Sequence, residues 1–171
     1  MDPLVLLLRL VHVLAGATWV GMATFAGLYL TPAIQEVGPD GGKVMGALQR
    51  RGIMVVMPLL AIGTLISGFW LYWRDSMGLE PGWAGSATGM AFGTGGLLAL
   101  AAWVVGMAVL RPSMMRAGAL AQGMSGSLPE AERVSRGEEI ARLRRRSAAA
   151  GRIVAVLLIL ATGLMAVARY L

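Results

Sequence analysis

The chain has 171 residues, of which 57% are hydrophobic and 14% are charged, and its formal net charge is +6 at pH 7. Soluble domains carry about 25% charged residues, so the composition predicts a membrane protein and excludes an intrinsically disordered chain. Because the chain has no cysteine and one histidine, cysteine nucleophiles, thiolate metal sites and iron–sulfur clusters are excluded.

Four apolar segments, taken in chain order, predict an all-α fold in which residues 1–171 form a single integral membrane domain, a four-transmembrane-helix bundle. Each segment is long enough to cross a hydrocarbon core of about 30 Å at a rise of about 1.5 Å per residue. The first segment is too long for the core of a signal peptide and has no basic leader, so we interpret it as a retained helix. We place the spans at about residues 4–30, 53–73, 90–110 and 153–170.

The first span contains the ionisable residues Arg9 and His12. Together with Gly16 and Trp19 they lie on one helix face, at i−3, i+4 and i+7 from the histidine. Such a face suits a b-type haem, with imidazole as axial metal ligand, glycine giving the ring room and arginine pairing with a propionate. The alternative is a neutral histidine hydrogen-bonded across the bundle, with Arg9 reaching the outer headgroups.

Residues 10–21, LVHVLAGATWVG, resemble the first-helix signature of the copper-resistance D (CopD-like) membrane domains. The segment is also similar to related small four-helix families, which include uncharacterised integral membrane proteins and the HemJ-like protoporphyrinogen oxidase of the haem pathway. Residues 63–68, GTLISG, carry the small-residue run that these families show in their second helix. The resemblance implies a ligand role for His12, toward haem or copper depending on the branch.

Small residues spaced four apart predict where the spans pack. Lipid tails are as apolar as leucine, so transmembrane helices associate by close approach at small side chains. The predicted pairs are Ala17 with Gly21 in the first span, Gly63 with Ser67 in the second, and Gly89 with Gly93 at the third.

The connection between the third and fourth spans, residues 111–152, carries nine arginines against four glutamates. A capping box beginning at Ser127 predicts a helix that runs into the fourth span, so that a long helix four projects into the cytoplasm. We expect this segment to contact anionic inner-leaflet lipid or a protein partner, the alternative being a solvated charged face. The arginines predicted to dock are Arg142, Arg144, Arg145 and Arg146.

The distribution of basic residues predicts the orientation. Twelve of the fifteen Lys and Arg residues lie in the connections between spans one and two and between spans three and four. By the positive-inside rule these connections face the cytoplasm, and both termini lie outside a bacterial-type inner membrane. The positive-inside distribution of basic residues accounts for the net positive charge, so the charge does not require a nucleic acid partner as its explanation.

No acidic residue falls within a span, which disfavours a proton-coupled pump or antiporter. Three functional hypotheses follow. The first is a non-catalytic accessory or scaffold subunit of a larger inner-membrane assembly, such as an electron-transfer or pigment complex, with other membrane subunits as partners. The second is a b-type haem protein with redox or haem-pathway activity, and the third is a copper-handling membrane protein.

Overall fold

The computed structural model describes residues 2–125 and 129–171, and the capping box predicted at Ser127 lies outside these residues. The described residues are predominantly helical and contain no strand, which confirms the all-α prediction. The helices are α1 (Pro3–Phe25), α2 (Thr31–Val37), α3 (Gly41–Arg50), α4 (Ile53–Asp75), α5 (Pro81–Ala84), α6 (Ala87–Val105), α7 (Arg111–Gln122) and α8 (Glu130–Val167).

Four continuous helical segments are long and apolar enough to cross a membrane. They are Pro3–Val37, Ile53–Asp75, Ala87–Gln122 and Glu130–Tyr170, with mean hydropathies of 1.8 to 2.2 over their most apolar stretches. Even the shortest, with 23 residues, extends about 35 Å at 1.5 Å per residue. Large apolar side chains such as Leu6 and Phe69 are more than half exposed on the outside of the bundle. These properties are consistent with a multi-pass membrane protein.

Two of the segments contain a π-helical turn, at Ala26–Leu30 and at Gly106–Leu110. Each turn is followed two residues later by a proline, Pro32 or Pro112. Proline has no N–H, and its ring clashes with the carbonyl four residues earlier in an ordinary α-helix. The wider turn, in which the first carbonyl accepts from the N–H five residues later, lets each helix continue past its proline. The helices therefore extend beyond the predicted span ends at residues 30 and 110.

The bundle is built from two helix pairs, because α1 packs along α4 and α6 packs along α8. The pairs join where α1 meets α8 and α4 meets α6. All four helices contribute to one buried core, which is rich in alanine. Its members are Trp19, Ala23, Ala61, Ala99, Ala102, Val154, Leu158 and Ala161.

The arginine-rich connection forms a helical hairpin. Helix α8 is unbroken from Glu130 to Val167, as a long fourth helix requires, and α7 packs against its N-terminal half. Ile140 and Leu143 of α8 are buried. Arg116 of α7 forms an ion pair of 2.7 Å with Glu139 of α8. Ile140 and Leu143 therefore pack within the chain, whereas Val134 of the same helix is exposed.

Candidate functional site

His12 joins α1 to α4 through a hydrogen bond. Its Nδ1 lies 2.9 Å from the carbonyl oxygen of Thr64, and the Ser67 hydroxyl oxygen lies 3.4 Å from the same nitrogen. Because a carbonyl can only accept, Nδ1 carries the proton and donates it, and a neutral ring then has its lone pair at Nε2. Metal-ligating histidines have this arrangement, in which the outer N–H bond fixes the tautomer and the ring orientation.

Two glycines allow α1 and α4 to approach each other around the imidazole. A Cβ placed on Gly68 would lie 2.6 Å from Cε1 of His12, so only glycine leaves room for the ring at that position. A Cβ on Gly16 would lie 3.3 Å from Cγ2 of Thr64. Gly16 therefore accommodates a side chain of the neighbouring helix, and the space predicted there for a porphyrin is occupied by Thr64.

The other two residues of the predicted haem face have contacts elsewhere. A guanidinium nitrogen of Arg9 lies 3.7 Å from a carboxylate oxygen of Asp75, at the end of α4. Trp19 is 4% exposed and packs in the core of the bundle. In residues 2–125 and 129–171, Nε2 of His12 has no hydrogen bond, so the imidazole is the one member of the predicted set with a ligand atom available.

The predicted haem set did not include Asp75. A signal was present, because α1 and α4 are consecutive antiparallel spans, and the start of one meets the end of the next. An arginine near the start of the first span and an acid at the end of the second are therefore brought to the same level.

The described residues contain no group of three or more His, Cys, Asp or Glu side chains that could together bind a metal ion.

Three of the predicted packing residues lie against other parts of the chain. Ser67 is buried, with 1% exposed. A Cβ on Gly93 would lie 3.1 Å from the hydroxyl oxygen of Tyr72, and that hydroxyl donates a 3.2 Å hydrogen bond to the carbonyl of Gly89. A Cβ on Gly89 would collide with the backbone carbonyl of Trp83. The two glycines let α6 pack against α4 and the short loop helix α5.

The other predicted packing residues are not covered by the chain. Ala17 and Gly21 are exposed on α1. A Cβ on Gly21 or on Gly63 would meet no atom within 4 Å. The first spanning segment instead crosses α8 closely at Gly27, in the π turn after α1, where a Cβ would lie 2.5 Å from the carbonyl oxygen of Gly151.

Comparison of the chain with protein-family models, with curated proteins and with solved structures finds no match. Membership of the CopD-like superfamily therefore stays a prediction from the first two helices.

The four arginines predicted to dock are all exposed on α8, in the hairpin with α7. Arg142 has one guanidinium nitrogen 3.8 Å from Glu139, a loose ion pair at the surface. Their charges are therefore accessible to solvent, to lipid headgroups or to another protein.

The loop between α4 and α6 is fixed by a carboxylate. Glu80 accepts hydrogen bonds from the backbone N–H groups of Gly82 at 3.0 Å and of Trp83 at 2.7 Å. These two bonds favour the ionised carboxylate and lower the pKa of Glu80 below its ordinary value. Trp83 in turn meets Tyr72 edge to face, with ring centroids 5.3 Å apart. The loop is thereby held against the same end of the bundle as Arg9 and Asp75.

Proposed function

We propose that the protein is a non-catalytic accessory or scaffold subunit of a larger assembly in a bacterial-type inner membrane. The observation that carries the proposal is the uncovered pair Ala17 and Gly21 on α1, which we call the small-residue face. Both residues are exposed, and no atom lies within 4 Å of a Cβ built on Gly21.

A glycine inside a helix is less stable than alanine by about 1 kcal/mol, and contact with lipid tails does not offset that difference. Small side chains are enriched where one transmembrane helix packs closely on another. The large exposed side chains of Leu14 and Phe25 flank the small-residue face along the same helix. The small-residue face is therefore a shallow depression between larger side chains, and a partner helix could cross α1 closely there.

In this proposal the two basic connections face the cytoplasm, both termini lie outside, and the exposed arginines of α8 contact anionic lipid or the cytoplasmic part of the partner. Twelve basic residues in these connections, against three elsewhere in the chain, support this orientation.

Site-specific photocrosslinking in the native membrane tests the accessory role. A photoreactive side chain at position 21 is compared with one at position 163. Gly163 is also an exposed span glycine with open space around it, but its i±4 neighbours are Ile159 and Val167. We expect a discrete protein adduct from position 21 and lipid adducts from position 163. Lipid adducts alone at position 21 would contradict the proposal.

A second candidate function is a b-type haem protein with redox or haem-pathway activity. The observation that favours this candidate is the Nδ1–H bond of His12 to the Thr64 carbonyl, which leaves Nε2 available as an axial ligand. His12 fits that role, whereas Arg9, Gly16 and Trp19 are engaged with other parts of the chain. The remaining contacts to a porphyrin then come from another subunit or a second copy of the chain.

Visible absorption of the purified full-length protein tests the haem candidate. We expect a Soret band that disappears in His12→Ala and persists in Thr18→Ala, a change at an exposed residue of the same helix. A colourless protein, or a band that survives in His12→Ala, would rule out His12 as the ligand.

A further inference from the structure

A cavity of about 150 Å³ lies between the spanning helices, in the half of the bundle away from His12. Its walls are predominantly apolar, and they are formed by α1, α2, α3, α4, α6, α7, α8 and both π turns. Five of the twelve methionines of the chain line it, namely Met45, Met54, Met57, Met107 and Met114. Methionine is flexible and polarisable, which suits a surface that adapts to an apolar occupant.

Two hydrogen-bond donors that line this cavity have no partner in the part of the chain that the structure describes. They are Nε1 of Trp103 and Nε of Arg111, and both atoms are buried. Arg111 also forms no ion pair with any residue in the described ranges 2–125 and 129–171. A buried N–H without a partner is unfavourable by about 1–3 kcal/mol, and more when the group is charged. An occupant with hydrogen-bond acceptor oxygens, one of them negatively charged, would therefore satisfy the two donors and pair with the charge of Arg111.

The π turn at Gly106–Leu110 brings these donors to one face of the helix. In an unbroken α-helix, residues eight apart are separated by about 80° around the axis. One extra residue in the turn changes that angle by about 100°, so Trp103 and Arg111 come within about 20° of each other. The turn thus aligns both donors with the cavity.

The position of Arg111 indicates where the charged end of the occupant lies. Arg111 directly follows the apolar stretch of the third span, at the end of the bundle that carries the basic connections. Basic pockets between transmembrane helices bind anionic lipid headgroups. Apolar cavities of about 150 Å³ stay dry and accept apolar groups.

We propose that this cavity is a binding site for an anionic phospholipid of the surrounding membrane. A segment of one acyl chain lies among the methionines, and the phosphate oxygens accept from the guanidinium of Arg111. The indole N–H of Trp103 donates to another oxygen of the same lipid. The site is separate from the small-residue face and from His12.

Native mass spectrometry of the detergent-solubilised full chain with phosphatidylglycerol tests the charged end of the site. The variant is Arg111→Gln, and the matched control is Arg152→Gln, the same change at an exposed arginine next to the lining residue Gly151. We expect one tightly bound phosphatidylglycerol per chain and a loss of affinity on the order of tenfold in Arg111→Gln alone. Equal losses in the two variants, or equal binding of phosphatidylcholine, would overturn the proposal. Binding of a free fatty acid in place of the phospholipid would also overturn it.

Quenching by phosphatidylglycerol with brominated acyl chains, in vesicles, tests the apolar end. The fluorescence of Trp103 is isolated by subtracting that of Trp103→Phe. Gly106→Leu fills the cavity, because Gly106 lines it and has open space around its Cβ position, whereas Gly96→Leu makes the same change at an open glycine outside the lining. We expect quenching of Trp103 that is lost in Gly106→Leu and kept in Gly96→Leu. Equal quenching in both variants would overturn the proposal.

Discussion

The imidazole of His12 shows how a polar group is accommodated within an apolar span. An unsatisfied polar group in hydrocarbon is unfavourable by several kcal/mol. Donation from Nδ1 to the Thr64 carbonyl satisfies one nitrogen, and the absence of a side chain at Gly68 lets the ring lie directly against α4. The histidine therefore contributes to the pairing of α1 with α4 whether or not Nε2 binds a ligand.

We predict that Gly68→Ala destabilises the protein by about 1–3 kcal/mol, because its Cβ would lie 2.6 Å from the ring of His12. Gly63→Ala, five residues earlier in α4, is the control, since a Cβ there meets no atom within 4 Å. Thermal unfolding in detergent micelles measures both. Equal melting temperatures for the two variants would show that the position of the His12 imidazole does not require glycine at residue 68.

The carboxylate of Glu80 gives a pH-dependent prediction. Its pKa is lowered in the folded state by the N–H groups of Gly82 and Trp83, so its stabilising effect is complete above the unfolded-state pKa and is lost as the pH falls through the lowered folded-state pKa. We expect Glu80→Gln to lower the melting temperature at neutral pH. The difference from wild type should shrink from about pH 5 downward. The control is Glu36→Gln, on the exposed surface of α2, and a difference that persists unchanged at low pH would contradict the assignment.

Individual residues were predictable from sequence to the extent that their chemistry is unusual in a membrane. Arg9 and His12 stand out because ionisable groups in spans are unfavourable. The acceptor of His12 was not predictable, because it is a backbone carbonyl that every residue possesses. Trp19 lies on the same helix face as His12, as its spacing requires. At the level of Trp19, however, this face packs into the core of the four-helix bundle.

At the scale of helices, the two π turns and the glycine contacts determine how the spans cross. Each π turn precedes a proline, and the pattern of leucine, any residue and proline at residues 30–32 and 110–112 is visible in the sequence. Hydropathy predicts span ends at these points because polar residues follow them. It does not predict that the helices continue, since continuation depends on the wider turn that relieves the proline clash.

A matched pair of glycine substitutions on the first spanning segment tests the crossing with α8. Gly27→Ala is expected to destabilise the protein by about 1–3 kcal/mol, because its Cβ would lie 2.5 Å from the carbonyl oxygen of Gly151. In Gly21→Ala the new Cβ meets no atom within 4 Å, and the gain in helix propensity of up to about 1 kcal/mol is expected to keep or raise stability. Thermal unfolding of the isolated chain in detergent distinguishes the two. Destabilisation by Gly21→Ala alone would contradict this crossing geometry.

The same pair shows why helix faces were harder to predict than spans. Both Gly21 and Gly27 belong to four-residue spacings of small residues, Ala17 with Gly21 and Ala23 with Gly27. The spacing indicates a face that can pack closely, but it does not indicate whether the packing partner belongs to the same chain. In this protein one pair is covered by α8 and the other faces outward.

At the scale of the whole molecule, the number of spans was easier to predict than the way in which they pair. Each span is a local run of apolar residues, so the number of spans was predictable from the sequence. The pairing of α1 with α4 and of α6 with α8 depends on shape complementarity between distant segments. The α7–α8 hairpin depends in addition on Ile140 and Leu143, two apolar residues too sparse to predict a buried face by themselves.

The orientation of the whole chain is open to a direct experiment, because the protein has no cysteine of its own. Single cysteines are introduced at Ser135, exposed on the α7–α8 hairpin, and at Tyr170, which is 80% exposed near the opposite end of α8. With twelve basic residues in the two connections predicted to be cytoplasmic, the positive-inside rule places Ser135 inside and Tyr170 outside. A membrane-impermeant maleimide applied to intact spheroplasts is expected to label Tyr170→Cys at once and Ser135→Cys only after lysis. The reverse pattern would show that the charge of the connections does not set the orientation.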